Sequence, residues 1–163
     1  MLHNRSFILL WCAGFFVSLS WGVLADDFDA GKKALDQKDY LNAAKSFRAG
    51  VAKGSKLSPN ALGELYVLGL GVDKDNGIAC RLFLKGAERG DAAAQHNYGI
   101  CMAKGKASAP DFSKAYKWFS TAMNQGYKPA FCELGNLYIS GNGTNKNTKR
   151  GFNLCLKGAK AGE

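Results

Sequence analysis

Glycine returns in this chain every 36 residues. Gly54, Gly90, Gly126 and Gly162 keep that interval, and so do Gly63, Gly99, Gly135 and Gly69, Gly105, Gly141. Large side chains hold the same register at Tyr66, Met102, Tyr138 and at Phe47, Phe83, Phe119, where Cys155 comes next. A small-residue column runs Ala43, Ala79, Ala115, Gly151. Several columns held in phase over most of the chain mean stacked supersecondary units, each burying its apolar face only against its neighbours.

Each row contains two stretches with helical spacing. Asn60 to Leu68 carries Leu62, Leu65, Tyr66 and Val67 around Gly63, and Gly77 to Arg89 carries Ala79, Leu82, Phe83 and Ala87. The row is therefore an antiparallel helical hairpin and the chain is all-α; no segment reads as a strand. Pairing Gly63 with Ala79, Gly99 with Ala115 and Gly135 with Gly151 leaves no bulk where the helices cross. That close approach outweighs the roughly 1 kcal/mol that glycine costs inside a helix. Pro59 and Pro129 sit where a first helical turn tolerates proline, Asp39 and Asp91 are good N-caps, and Gly54, Gly90, Gly126 and Gly162 are placed to end helices. These signals predict helices near 27–37, 39–53, 58–68, 75–89, 92–104, 111–125, 128–139 and 147–161.

The first residues follow a different rule. Arg5 precedes an uncharged apolar run from Phe7 to Leu24, and Val23-Leu24-Ala25 supplies the small residues of a secretory cleavage site. Residues 1–25 are thus expected to be a signal peptide, with an uncleaved membrane span as the alternative. Bulky Trp11 before Cys12 argues against a lipoprotein cysteine. Removing this leader takes away one positive charge from a formal +9 and leaves residues 26–163, enough for one modest domain. An exported basic chain has no nucleic acid to meet, so its surplus charge suits envelope surfaces or an acidic protein, or is simply solvated.

Cys80, Cys101, Cys132 and Cys155 remain after the leader. An even number in an exported chain is consistent with two disulfides in any of three connectivities, and equally with buried free thiols. They lack the C-x-x-C pair from which a structural zinc site starts, so no metal is expected. His96 is the one histidine outside the leader, and no spacing offers it a nucleophile to activate. Gly141-Asn-Gly-Thr-Asn-Lys146 superficially resembles a phosphate-cradling loop, but it follows no strand and aligns with Gly69–Lys74, which makes it a hairpin turn. No catalytic residue and no cofactor are expected.

The row from Asn60 through Asp91 resembles a Sel-1-like repeat, a branch of the tetratricopeptide superfamily. Ala94-Gln-His-Asn-Tyr-Gly99 through Gly126 is equally close, and Phe131 through Glu163 less so, because Gly151 replaces the usual alanine. The resemblance implies three such repeats (56–91, 92–127 and 128–163) in a right-handed α–α superhelix of about four hairpins. Residues 26–55 look instead like an ordinary tetratricopeptide hairpin with a shorter loop, since Gly31 precedes Ala43 by 12 where later pairs are 16 apart.

In this superfamily the first helix of each hairpin lines the concave face. The resemblance therefore implies a groove bearing Asn60, Glu64 and Leu68, then His96, Ile100 and Lys104, then Cys132, Asn136 and Ser140. The architecture it implies also suggests the pair Cys80 with Cys101, on helices of successive rows that stack directly, and the pair Cys132 with Cys155, on the two helices of one hairpin. The function it implies is an exported, periplasmic or secreted scaffold that binds another protein, such as an envelope enzyme or a toxic effector. A cell-wall or β-lactam hydrolase and a secreted host-interaction factor are the alternatives, and fold alone does not choose between them.

Overall fold

The computed structural model describes residues 21–106 and 109–160, with side chains from Asp27 onward. Among the described residues there are eight helices and no strand: α1 (Trp21–Asp36), α2 (Tyr40–Ala52), α3 (Ser58–Leu68), α4 (Asn76–Glu88), α5 (Ala92–Lys104), α6 (Phe112–Asn124), α7 (Lys128–Ser140) and α8 (Thr148–Lys160). They form a solenoid of four hairpins in which each helix packs on the one before and the one after. α3 and α5, the first helices of successive hairpins, also touch each other.

The helices match the sequence-based bounds closely, and most differences are cap residues that the periodicity includes. Asp75 and Asp111 stand outside α4 and α6 and accept from the Ile78 and Lys114 backbone N–H groups at 2.8 and 2.9 Å. Asn147 caps α8 in the same way, its Oδ1 accepting from Arg150 N–H at 2.9 Å. With Asp39 before α2, these caps form a further column of the 36-residue period. α1 begins earlier than expected, at Trp21, within the segment read as a leader. The rest of that segment and the chain end beyond Lys160 lie outside the described residues. No helix among the described residues is long and apolar enough to cross a membrane.

The loops repeat as faithfully as the helices. Asp75, Asp111 and Asn147 each donate a backbone hydrogen bond to Tyr66, Met102 and Tyr138 carbonyls at 3.0, 2.9 and 2.7 Å. Each connection is thereby folded back onto its own first helix. Gly69, Gly105 and Gly141 end α3, α5 and α7 in the left-handed conformation, which a side chain would strain. The α1–α2 turn spans only residues 37–39, as the shorter spacing of the first row implied.

The crossing within each hairpin differs in one respect from the sequence expectation. Gly63 and Gly99 were paired with Ala79 and Ala115, yet what fills the space above them is a phenylalanine ring. A Cβ on Gly63 would lie 2.6 Å from Phe83 Cε1, and one on Gly99 would lie 2.5 Å from Phe119 Cε1. The last hairpin alone meets glycine to glycine: a Cβ on Gly135 would fall 2.6 Å from the Gly151 carbonyl oxygen and 3.0 Å from Cys155 Sγ. Replacing phenylalanine by Cys155 thus lets α8 settle directly on the α7 backbone.

Between hairpins a second small-residue column operates. Gly50 abuts Ser58, and a Cβ on Gly86 would lie 2.7 Å from Ala94 Cβ. The core runs along the stack in two clusters, one around Phe47, Leu62 and Leu65, the other around Phe83, Phe119, Met102, Leu134 and Tyr138. Two disulfides fasten the stack. Cys80 on α4 and Cys101 on α5 have their sulfurs 2.02 Å apart, and Cys132 on α7 and Cys155 on α8 are paired at 2.15 Å. The first pair joins successive rows and the second joins the two helices of one hairpin, as the resemblance implied.

Candidate binding groove

α3, α5 and α7 are the first helices of the last three hairpins, and an apolar feature lies between α3 and α5. A cavity of about 240 Å³ opens there, walled by Val67, Leu68, Phe83, Ile100 and Cys101, with Glu64, Asn97 and Lys106 around it. Three of the expected groove residues, Glu64, Leu68 and Ile100, are brought together in this one place. Leu68 is 63% exposed, a large apolar side chain left facing water.

A polar chain borders the cavity and crosses from one row to the next. Asn60 Nδ2 donates to Glu64 Oε1 at 2.9 Å, one turn along α3. From α5, Asn97 Nδ2 donates to Asn60 Oδ1 at 2.9 Å and to Glu64 Oε1 at 3.4 Å. His96 Nδ1 lies 3.3 Å from Asn97 Oδ1, and because that oxygen only accepts, Nδ1 carries the proton. Burial pushes the Glu64 carboxyl up from the ordinary carboxylate range, against the pull of the Asn60 and Asn97 amides.

His96 is not the open groove-lining side chain, nor the solvated one, that its place in the row implied. It is only 8% exposed, with its ring centroid 5.7 Å from that of Phe119 and 5.3 Å from that of Tyr127. Burial lowers its pKa, so the imidazole is held towards its neutral form. Tyr127, which precedes the first residue of α7, covers it. Neither Asn97 nor Tyr127 was singled out by sequence. Asn97 stands 37 residues after Asn60, one place out of register, so the period hides their contact.

Asp91 and Gln95 are two further buried polar groups. Asp91 caps α5, accepting from Ala93 N–H at 3.1 Å, while desolvation raises its pKa. Gln95 Nε2 donates to the Ala87 carbonyl at 3.3 Å and Gln95 Oε1 accepts from Gln125 at 2.7 Å, which ties three helices together. Of the remaining expected residues, Lys104 is exposed and does not line the cavity. Asn136 and Ser140 are exposed on α7, the Ser140 hydroxyl donating to the Asn136 carbonyl at 2.9 Å. Cys132 is taken up by its disulfide. Among the described residues no group of histidine, cysteine and carboxylate side chains is arranged to hold a metal ion.

Residues 60–91, 92–127 and 130–163 each match the Sel1 repeat. The first hairpin lies outside these stretches. Among solved structures, the chain is similar to a Sel1 repeat protein from Oxalobacter formigenes, with 32% identity and a TM-score of 0.76 over 83% of this chain and 54% of that one. It is also similar to a protective antigen present in uropathogenic Escherichia coli strains that displays an SLR fold. There the identity is 26% and the TM-score 0.82, over 87% of this chain and 32% of the other. The chain thus spans about half the length of the first and about a third of the second.

Proposed function

The chain belongs to the Sel1 repeat family, and from that footing we propose that it is a non-enzymatic scaffold that binds another protein in the groove lined by α3, α5 and α7. Sel1-type repeats are helical scaffolds that commonly mediate protein–protein interaction. The observation that carries the reading for this chain is the convergence of Glu64, Leu68, Ile100 and Asn97 on one cavity of the inner face. An apolar cavity with an exposed leucine at its edge and hydrogen-bonding groups on one side is how a protein surface presents an anchor pocket to a partner. The expected groove residues Asn60, His96, Lys104, Asn136 and Ser140 are assigned to its border and extension along the stack.

The same reading places the protein outside the cytoplasm, in the periplasm or secreted. Support comes from the leader-like pattern up to Ala25 and from two cysteine pairs at bonding distance, which suit an oxidising compartment. The partner is then an envelope protein or a toxic effector that the scaffold restrains. A second reading, a secreted factor that meets a host, draws on the likeness to the protective antigen. Fractionation separates the two, since the first requires retention in the envelope and the second release into the medium.

The binding reading is tested by placing a photo-crosslinking residue at Leu68 or Ile100 inside the groove and at Lys117 on α6. Crosslinks to one partner from the groove positions, and none from Lys117, are expected. Equal yield from Lys117 would overturn it.

A further inference from the structure

The cavity between α3 and α5 is apolar except at its border, and the character of that border restricts what can enter. Glu64 supplies the one carboxylate among the lining residues. Its Oε1 accepts from both Asn60 and Asn97, whereas Oε2 takes none of the hydrogen bonds formed among the described residues and is left to water. An apolar side chain filling the cavity would strip that water and offer nothing in return, a poor exchange for a carboxylate oxygen. A cationic group at the end of an alkyl stem would cover the apolar wall and replace the lost water with a charge-assisted hydrogen bond.

The charge of the trough points the same way. Asp91, at the start of α5, lies in the field of Glu64, and Tyr127 in that of both. Two carboxylates, Glu64 and Asp91, are thus close enough to feel each other here, although the chain as a whole carries +9. Lys56 lies in the field of Asp91, and Lys106 lines the cavity.

We propose that this cavity is the anchor site for a single basic side chain, lysine or arginine, of the partner protein. The stem seats among Val67, Leu68, Phe83 and Ile100, and the cationic head bonds Glu64 Oε2. The proposal rests on the groove reading and adds the chemistry of what the groove takes. Lys106 opposes it by like-charge repulsion and thereby tunes its strength, so removing that charge tightens binding.

The test uses three small probes, the Nα-acetyl methylamides of lysine, norleucine and glutamate, titrated into the purified protein by ¹H–¹⁵N NMR. Saturable shifts at the Asn97 side-chain amide and at Ile100 are expected with the lysine probe. The norleucine probe and the Glu64→Gln variant are expected to bind at least tenfold more weakly, and Lys106→Gln several-fold more tightly. Lys106 is exposed, so its variant keeps the fold whatever Glu64→Gln does. Equal binding of the norleucine probe, preference for the glutamate probe, or an unchanged Glu64→Gln variant would each overturn the proposal.

Its failure is distinguishable from that of the groove reading. Partner crosslinks that persist at Leu68 and Ile100 while Glu64→Gln leaves partner affinity unchanged would leave the groove standing without a cationic anchor. Crosslinks confined to the outer face would remove the groove, and a cavity that still titrates with lysine would then have no partner to serve.

Discussion

Gly63 lies flat against the ring of Phe83, with no room for even one carbon between them: a Cβ would come within 2.6 Å of Cε1 and 2.8 Å of Cδ1. Phe83 is buried and cannot retreat. The glycine is therefore the receiving half of the packing contact, and the same relation recurs 36 residues on at Gly99 and Phe119.

Gly63→Ala should accordingly destabilise the protein by about 1–3 kcal/mol, the range for overpacking a core. Helix propensity alone would predict a gain of roughly 1 kcal/mol for the same change. Urea unfolding decides the sign. Adding Phe83→Leu to Gly63→Ala should recover part of the loss, and additive effects of the two changes would count against the contact.

Each disulfide closes a loop, between residues separated by 21 and 23 positions, and should contribute about 3 kcal/mol through restriction of the unfolded chain. The two should differ in what their loss releases. Cys80–Cys101 joins two hairpins in mid-stack, so Cys80→Ala/Cys101→Ala should lower the midpoint of the whole urea transition. Cys132–Cys155 holds α8, which among its described residues buries only Gly151. Cys132→Ala/Cys155→Ala should therefore speed hydrogen exchange first in α8, with α2 to α5 little changed.

Stability should vary with pH in two opposed ways. His96 has its pKa lowered by burial, so the unfolded chain takes up the proton more readily. Its contribution is present above the ordinary imidazole value of 6.5 and is lost as pH falls below it towards the folded value. Glu64 has its pKa raised by burial, so its favourable contribution is present below the ordinary value of 4.5 and is lost as pH rises through the folded value. His96→Gln should flatten the acid-side fall in melting temperature, and Glu64→Gln should flatten the fall on the way up from pH 4.5. Melting curves from pH 4 to 8 would show it; parallel curves for wild type and His96→Gln would exclude the first effect.

Asp75 accepts the Ile78 N–H at the start of α4. Asp75→Ala should cost about 1 kcal/mol, the typical loss for a helix cap, and Asn147→Ala a similar amount at α8. Asp75→Asn, which keeps the accepting oxygen, should cost much less. Chemical unfolding of the three variants measures the difference.

What the sequence makes legible here is whatever the period repeats. Helix order and the glycine-ended first helices follow from column positions, because each row presents the same surface to the next. The phenylalanine above Gly63 escaped notice because column pairing looks for residues opposite one another, whereas a long side chain reaches a turn further along the facing helix. The site was only half legible for a related reason. Glu64, Leu68 and Ile100 are expected from helical phase together with the superfamily's use of the first helix, but the burial of His96 depends on Tyr127 just before α7, and the Asn60–Asn97 bond joins two positions one residue out of register.

Cys101 belongs at once to the wall of the cavity and to the bond with Cys80. Solenoids bend by hinging between successive hairpins, and here the hinge beside the pocket is bolted. A guest must accept that pocket at its resting width, which favours rigid recognition over closure around the ligand. The α6–α7 joint has no such bond among the described residues, and there the hydroxyls of Tyr116 and Tyr138 lie 2.8 Å apart.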